Sequence, residues 1–225
     1  LDKLSKEYPE VIKRLKKRPP AKIFDKQVTW GKKINKNGDI YIGQMAKGED
    51  PFGRGCWIYA THRNVKYYIG ALKHGAPHGS GCLYKEDWTL IFRGNFEYGE
   101  RRGFGVQNKD GNYYGYFKTN NKSGLGVFEN LDGLIYEGHF ENGEKDGKGY
   151  NINYKDKTIE EITYREGNIE GIGEQETYNK KKQRKLMTQQ ISSIPKKYKK
   201  YIDMYLQLES KGNSLMASHG LKEDG

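Results

Sequence analysis

Large apolar residues alternate with glycine and polar residues in short bursts through the middle of the chain. Each burst opens with an aromatic two places before a glycine: Tyr41-Ile42-Gly43, Tyr68-Ile69-Gly70, Phe92-Arg93-Gly94, Tyr113-Tyr114-Gly115 and Tyr136-Glu137-Gly138. Two residues further on stands a second large side chain, at Met45, Leu72, Phe96, Phe117, Phe140 and, in a sixth burst, Tyr164. A period of two puts these residues on one face of a strand. Five residues after the burst glycine comes another, at Gly48, Gly75, Gly99 and Gly143. The fourth copy has Asn120 there, and asparagine is the best substitute where the backbone needs positive φ. A glycine pair closes each copy: Gly53-Arg54-Gly55, Gly79-Ser80-Gly81, Gly103-Phe104-Gly105, Gly124-Leu125-Gly126, Gly147-Lys148-Gly149 and Gly171-Ile172-Gly173, at steps of 21 to 26 residues. Asn37-Gly38, Asp110-Gly111 and Asp132-Gly133 supply tight turns between copies.

Such a period marks an array of one supersecondary unit, here a β-hairpin. The pattern predicts an all-β chain: an elongated antiparallel sheet of repeated hairpins, flanked by short α-helical or extended tails. The burst glycine leaves room for a ring from the neighbouring strand to lie on bare backbone. The sixth copy, Glu160 through Gly167, keeps only the second half of the pattern, as a closing repeat does. Residues 1–37 form a basic extension with a short helix, 38–174 the array of about six units, and 175–225 a basic linker and an amphipathic helix with a flexible end.

Both tails carry helix signals. Ser5 caps a helix running through Arg18, with Val11, Ile12 and Leu15 on one side and Pro19-Pro20 ending it. In the C-terminal segment Ser193 stands as N-cap near Pro195, and Tyr198, Tyr201, Ile202, Tyr205 and Leu206 follow at helical spacing. Lys196, Lys197, Lys199 and Lys200 crowd the first turns, the unfavourable end for cations on the helix dipole. An acidic partner would offset that misfit. The candidate partner-binding residues are therefore Tyr198, Tyr201, Ile202, Tyr205, Leu206, Lys196 and Lys197. The other use for this helix is to cover the open last strand of the sheet.

The repeat resembles the MORN family, whose unit reads Tyr-Glu-Gly-x-x-x-x-Gly-x-x-x-Gly-x-Gly. The nearest copy runs from Tyr136-Glu137-Gly138 through Gly143 to Gly147-Lys148-Gly149. The resemblance covers about residues 38 to 174, with five copies in register. It departs at the sixth copy and in the long first linker, Trp57 to Lys66. It implies a hairpin array of the kind used in scaffolds, in radial spokes of ciliary axonemes, in cytoskeletal structures of ciliates and apicomplexans, and at membrane junctions. In some relatives such arrays precede lipid-kinase or methyltransferase domains; the 50 or so polar residues after Gly173 are too few for either.

Composition changes the picture in two ways. With 34% hydrophobic residues the chain has a thin core, and its eighteen tyrosines and eight phenylalanines fit a narrow sheet covered by rings with polar handles. The net charge of +11 suggests a nucleic-acid or membrane footprint until it is partitioned. Residues 1–40 carry +7 (12 basic, 5 acidic), residues 175–225 carry +6 (11 and 5), and the array between them carries −2 (17 and 19). The tails are basic and the array is near neutral, which argues against nucleic acid. No apolar run is long enough to span a bilayer and none near Leu1 reads as a secretory segment. A start at Leu1 predicts a fragment or a processed form.

Candidate chemistry is sparse. Cys56 and Cys82 fall in one column a repeat apart, two strand spacings or about 9–10 Å, beyond disulfide reach. They are expected as free thiols, which fits a reducing intracellular compartment. His74 and His78 near Cys82 lack metal-ligand spacing, and the tryptophans read as packing anchors. The glycine pairs are no phosphate loop, since no helix follows them. The expectation is a non-enzymatic scaffold without cofactor or metal, a subunit of a ciliary axoneme or cytoskeletal complex. Its partners are other protein subunits, with acidic surfaces such as tubulin tails as contacts for the tails. The alternatives are an organiser held on anionic lipid through the basic tails, and a subunit of another large complex, including a mitochondrial one.

Overall fold

The computed structural model describes residues 2–17, 28–46, 50–153 and 155–177. Two short helices, α1 (Asp2–Glu7) and α2 (Pro9–Lys16), precede thirteen strands. The first six are β1 (Val28–Ile34), β2 (Ile40–Ala46), β3 (Pro51–Ile58), β4 (Tyr67–Lys73), β5 (Ala76–Tyr84) and β6 (Leu90–Glu97). Then come β7 (Glu100–Asn108), β8 (Asn112–Lys118), β9 (Asn121–Glu129), β10 (Ile135–Glu141), β11 (Glu144–Asn153), β12 (Thr158–Arg165) and β13 (Asn168–Thr177). They form one open antiparallel sheet in sequence order, so the all-β hairpin array is what the chain adopts. By its contacts the chain divides between Arg101 and Arg102 into an N-terminal and a C-terminal half.

The glycines of each copy hold three different backbone jobs. At the hairpin tip, two successive residues take positive φ: His74 (50°) and Gly75 (79°), Tyr98 (49°) and Gly99 (87°), Thr119 (47°) and Asn120 (68°), Asn142 (50°) and Gly143 (97°). Two such residues define a type I′ turn, whose twist matches a right-handed hairpin. Asn120 thus does the work of the tip glycine. The first glycine of the first five pairs also sits at positive φ, as at Gly79 (75°) and Gly147 (79°), but inside its strand. There Gly70 pairs with Gly81 and Leu72 with Pro77, so residues 78–80 face Ala71 alone. The hairpins β2–β3, β4–β5, β8–β9 and β10–β11 therefore each carry a bulge of three residues against one around the first pair glycine.

The second pair glycine has another reason. Gly55 pairs with Gly43, Gly81 with Gly70, Gly126 with Gly115 and Gly149 with Gly138. A Cβ at Gly81 would stand 2.4 Å from the Tyr68 ring, and one at Gly126 2.5 Å from Tyr113. The ring over each glycine couple comes from the burst tyrosine two residues earlier on the same strand, where the sequence pattern pointed to a neighbouring strand. The reason lies in the hydroxyl: laid along its own strand, Tyr68 donates to the Ala71 carbonyl (2.6 Å) and Tyr41 to the Gln44 carbonyl (2.6 Å).

Two departures concern the N-terminal segment. The expected helix from Ser5 to Arg18 is split: Tyr8 leaves helical geometry at φ −134°, and Pro9 opens α2 at its first position. Ser5 lies inside α1, not at an N-cap position. The sheet also begins before the repeat, because β1 pairs with β2 along its whole length, with Gly31 opposite Gly43.

Candidate interaction surfaces

Within each half, the tyrosine face is an interlocked column of rings. Tyr113 meets Phe117 of its own hairpin at 5.2 Å and Phe140 of the next at 4.9 Å. Tyr136 meets Phe140 at 5.4 Å and Tyr164 at 5.2 Å, all near edge-to-face. In the N-terminal half Tyr68 packs on Phe96 at 5.1 Å and Tyr41 on Trp57 at 5.3 Å. Trp57 also donates its indole N–H to the Gly75 carbonyl (3.0 Å), tying the column to a hairpin tip. Tyr41, Tyr68, Tyr113 and Tyr136 are buried, and burial raises the phenols of Tyr41, Tyr113 and Tyr136, the last to about 12.

Cations close the column from outside. The Lys122 ammonium lies 4.3 Å from the Phe128 centroid and 5.1 Å from Tyr113. Lys145 lies 4.6 Å from Tyr136 and 4.8 Å from Tyr164 and donates to the Tyr164 hydroxyl (3.4 Å). Beside Lys145 opens a cavity of ≈ 340 Å³ whose lining includes Leu134, Asn151, Thr158 and Glu160.

The opposite face of the N-terminal half is a second core. Ile42, Cys56, Ile69 and Cys82 lie side by side across β2 to β5 and are at most 1% exposed. β4 stands between the two cysteines, which are free thiols, and burial holds the Cys56 thiol far above its ordinary range. The cover is the N-terminal segment. α2 packs on β3 and buries Val11, Ile12 and Leu15. At one end Lys32 of β1 binds Glu7 and lies 4.8 Å from the Tyr8 ring. These hydrogen bonds, first from Lys32 and then from Tyr8, draw the Glu7 carboxyl below its ordinary value. At the other end the Arg14 guanidinium, held by Glu10 (2.9 Å), sits 4.3 Å from Trp88 and 5.6 Å from Tyr84. Trp88 in turn stacks on Tyr67 at 3.8 Å.

Trp88 sits in left-handed backbone, φ 65°, at a turn position filled by glycine elsewhere. The turns 35–39, 85–89 and 130–134 share one hydrogen-bond pattern, and Trp88 occupies the place of Gly38 and Gly133. A bulky residue there is strained by about 1–3 kcal/mol, which the stack on Tyr67 and the Arg14 contact offset.

Exposed large apolar side chains among the described residues are Ile34 at the end of β1, Tyr98 at a hairpin tip, Leu131 and Leu134 in one turn, and Ile169 and Ile172 on β13. The linker 59–66 borders an open cleft of ≈ 690 Å³ with turn 85–87, and its His62 Nδ1 accepts the backbone N–H of Val65 (3.1 Å). Among the described residues no group of three or more His, Cys, Asp or Glu could hold a metal ion, and no helix is long and apolar enough to cross a membrane.

The sequence-derived partner-binding residues Tyr198, Tyr201, Ile202, Tyr205, Leu206, Lys196 and Lys197 all lie outside the described residues. The Arg14–Trp88–Tyr67 cluster and the second core escape a reading confined to the tyrosine column. Their signals are the apolar residues one place after the first two burst aromatics, Ile42 and Ile69, and the two cysteines one place after a glycine pair.

No protein-family model matches the chain. Among curated proteins it is similar to Alsin from Rattus norvegicus, Pan troglodytes and Homo sapiens, each 32% identical over 89 residues. That stretch is 36% of this chain and 5% of Alsin. The match and the repeated hairpins are consistent with a MORN-like repeat and with a repeat-containing interaction domain.

Proposed function

We propose that this chain is a MORN-type, non-catalytic scaffold that joins a large protein assembly, a ciliary axoneme of radial-spoke type or a cytoskeletal complex. One observation carries the reading: the residues that recur are consumed by packing. The tyrosine hydroxyls of the described repeats donate to backbone carbonyls three residues on, for example Tyr113 to Tyr116 (3.0 Å) and Tyr136 to His139 (3.2 Å). The glycines serve tips, bulges and ring contacts. What varies between copies is the set of tip and turn side chains, and in a repeat protein such variable positions carry partner choice. The near-neutral array with basic tails favours protein subunits with acidic surfaces as neighbours, and the two buried thiols favour a reducing compartment.

The test is in-cell crosslinking and proximity labelling with the tagged chain. Recovery of a stable set of axonemal or cytoskeletal subunits supports the reading; a chain that sediments alone as a monomer and labels no consistent neighbours overturns it. The charge of the tails favours one rival, an organiser on anionic lipid. Cosedimentation with phosphatidylserine vesicles that persists at 0.15 M salt, the ionic strength at which charges are screened over about 8 Å, would favour that rival.

A further inference from the structure

A patch of the second face of the C-terminal half is buried, yet no helix among its described residues lies over it. Val106 is 4% exposed, Ile135 3%, Ile152 1% and Ile159 6%, and Phe104 and Val106 form a cluster with Tyr114 and Tyr116. Two carboxylates, Glu129 and Glu137, stand on the same face at 2% exposure. A single-layer sheet cannot hide one face with its own strands, so this face has a cover. In the N-terminal half the matching face is covered by α2.

The residue-class pattern of α2 recurs in the C-terminal segment, with Lys197 at the place of the buried Val11. Tyr8-Pro9-Glu10-Val11-Ile12-Lys13-Arg14-Leu15 reads apolar-Pro-x-x-apolar-basic-basic-apolar, and Ile194-Pro195-Lys196-Lys197-Tyr198-Lys199-Lys200-Tyr201 reads the same. Arg14, the fifth residue after its proline, contacts Tyr84, three residues after the pair glycine Gly81. Lys200 is likewise fifth after Pro195, and Glu129 stands three residues after Gly126. Where the N-terminal half sets a guanidinium against a ring, the C-terminal half has the Glu129 carboxylate, which also accepts from Asn112 Nδ2 (3.2 Å). The 48 residues from 178 to 225 follow directly on β13 and leave ample chain to return.

We propose that residues 193–206 of this chain form that cover, laying Tyr198, Tyr201, Ile202 and Tyr205 on the second face of the C-terminal half, with Lys199 and Lys200 near Glu129 and Glu137. The segment is then a second α2, and its apolar stripe is spent inside the molecule. The proposal goes beyond the assembly reading and stands or falls independently of it.

The test is amine crosslinking of the full 225-residue chain, mixed equally from isotopically light and heavy preparations. Bridges from Lys196–Lys200 to Lys109, Lys118 and Lys148 within single-label chains are expected. Mixed-label bridges alone would assign the cover to a second copy, and no bridge to the C-terminal half would remove the segment from that face; either overturns the proposal. Amide exchange of the full-length Tyr198→Asp, Ile202→Asp variant gives the second readout. Exchange in β9 to β11 should quicken by at least about ten-fold while β2 to β5 keep their protection. Unchanged exchange in β9 to β11 overturns the proposal.

Discussion

Single residues here are legible through the atoms that oppose them. Gly81 has ordinary backbone angles, yet its missing Cβ makes the space that the Tyr68 ring fills. Gly81→Ala should therefore cost about 1–3 kcal/mol through forced repacking, a Tm loss of several degrees for a chain of this size. Tyr68→Phe keeps the ring and removes the hydroxyl that donates the 2.6 Å bond to the Ala71 carbonyl, so it should cost about 1 kcal/mol. Equal losses in thermal unfolding would sink this division of labour. The tip of the fourth copy makes the opposite case, because Thr119 is a β-branched residue at φ 47° and Asn120 follows at 68°. Changing the pair by Thr119→Asn and Asn120→Gly gives the best type I′ sequence and should add about 1 kcal/mol, read as a higher urea midpoint with unchanged slope. The phenols predict a pH response. Unfolded tyrosines lose their protons near pH 10, whereas burial keeps Tyr136 protonated to about 12, with a smaller push from Tyr164. The unfolded state thus binds fewer protons at high pH. Stability should be full below pH 10 and fall between about 10 and 12, with a shallower fall in Tyr136→Phe.

At the scale of elements, the strand pattern announced every hairpin whose first strand carries an aromatic-x-glycine burst. It could not announce β1, because Val28–Ile34 has neither that burst nor a glycine pair; only pairing with β2 makes it a strand. The bulges were hidden for a related reason: the two glycines of a pair look alike in sequence and differ in φ. The break at Tyr8 reflects Pro9, which cannot extend a helix from α1 and can only begin a new one. The second core is not legible in the tyrosine column, because its residues lie on the other face of the same strands, and the candidate partner-binding residues lie outside the described residues. α2 packs on β3, the strand that carries Cys56, and its shielding of the two buried thiols can be measured. In the intact protein both thiols should react slowly with a disulfide reagent at pH 8. Leu15→Asp places a charge against β3 and should detach α2, speeding both reactions by at least about ten-fold. If the thiols stay slow while α2 loses amide protection, the helix is not their shield.

For the whole molecule, the governing fact is that each strand's sequence neighbours are also its sheet neighbours. Tip amides reinforce this one copy at a time: Gly99 N–H donates to Pro77, Gly143 to Lys122 and Gly167 to Lys145, each bond reaching the preceding hairpin (2.9 Å in all three). Stability in such an array is a sum of local terms and nearest-neighbour interfaces, without a central core whose failure is felt everywhere. A lesion should therefore spread by one copy and stop. Gly149→Ala drives a Cβ to 2.4 Å from the Tyr136 ring and disturbs a glycine couple shared by β10 and β11. Hydrogen exchange should quicken across β10 to β12, where Tyr136 also packs on Tyr164, while β2 to β5 hold their protection. A globular fold of the same length would lose protection throughout, since its strands share one interior. Uniform loss of protection in Gly149→Ala would therefore refute local energetics for this sheet. Local loss would mean that a partner gripping one hairpin row can be mapped copy by copy, through variants that weaken one repeat and leave the others folded.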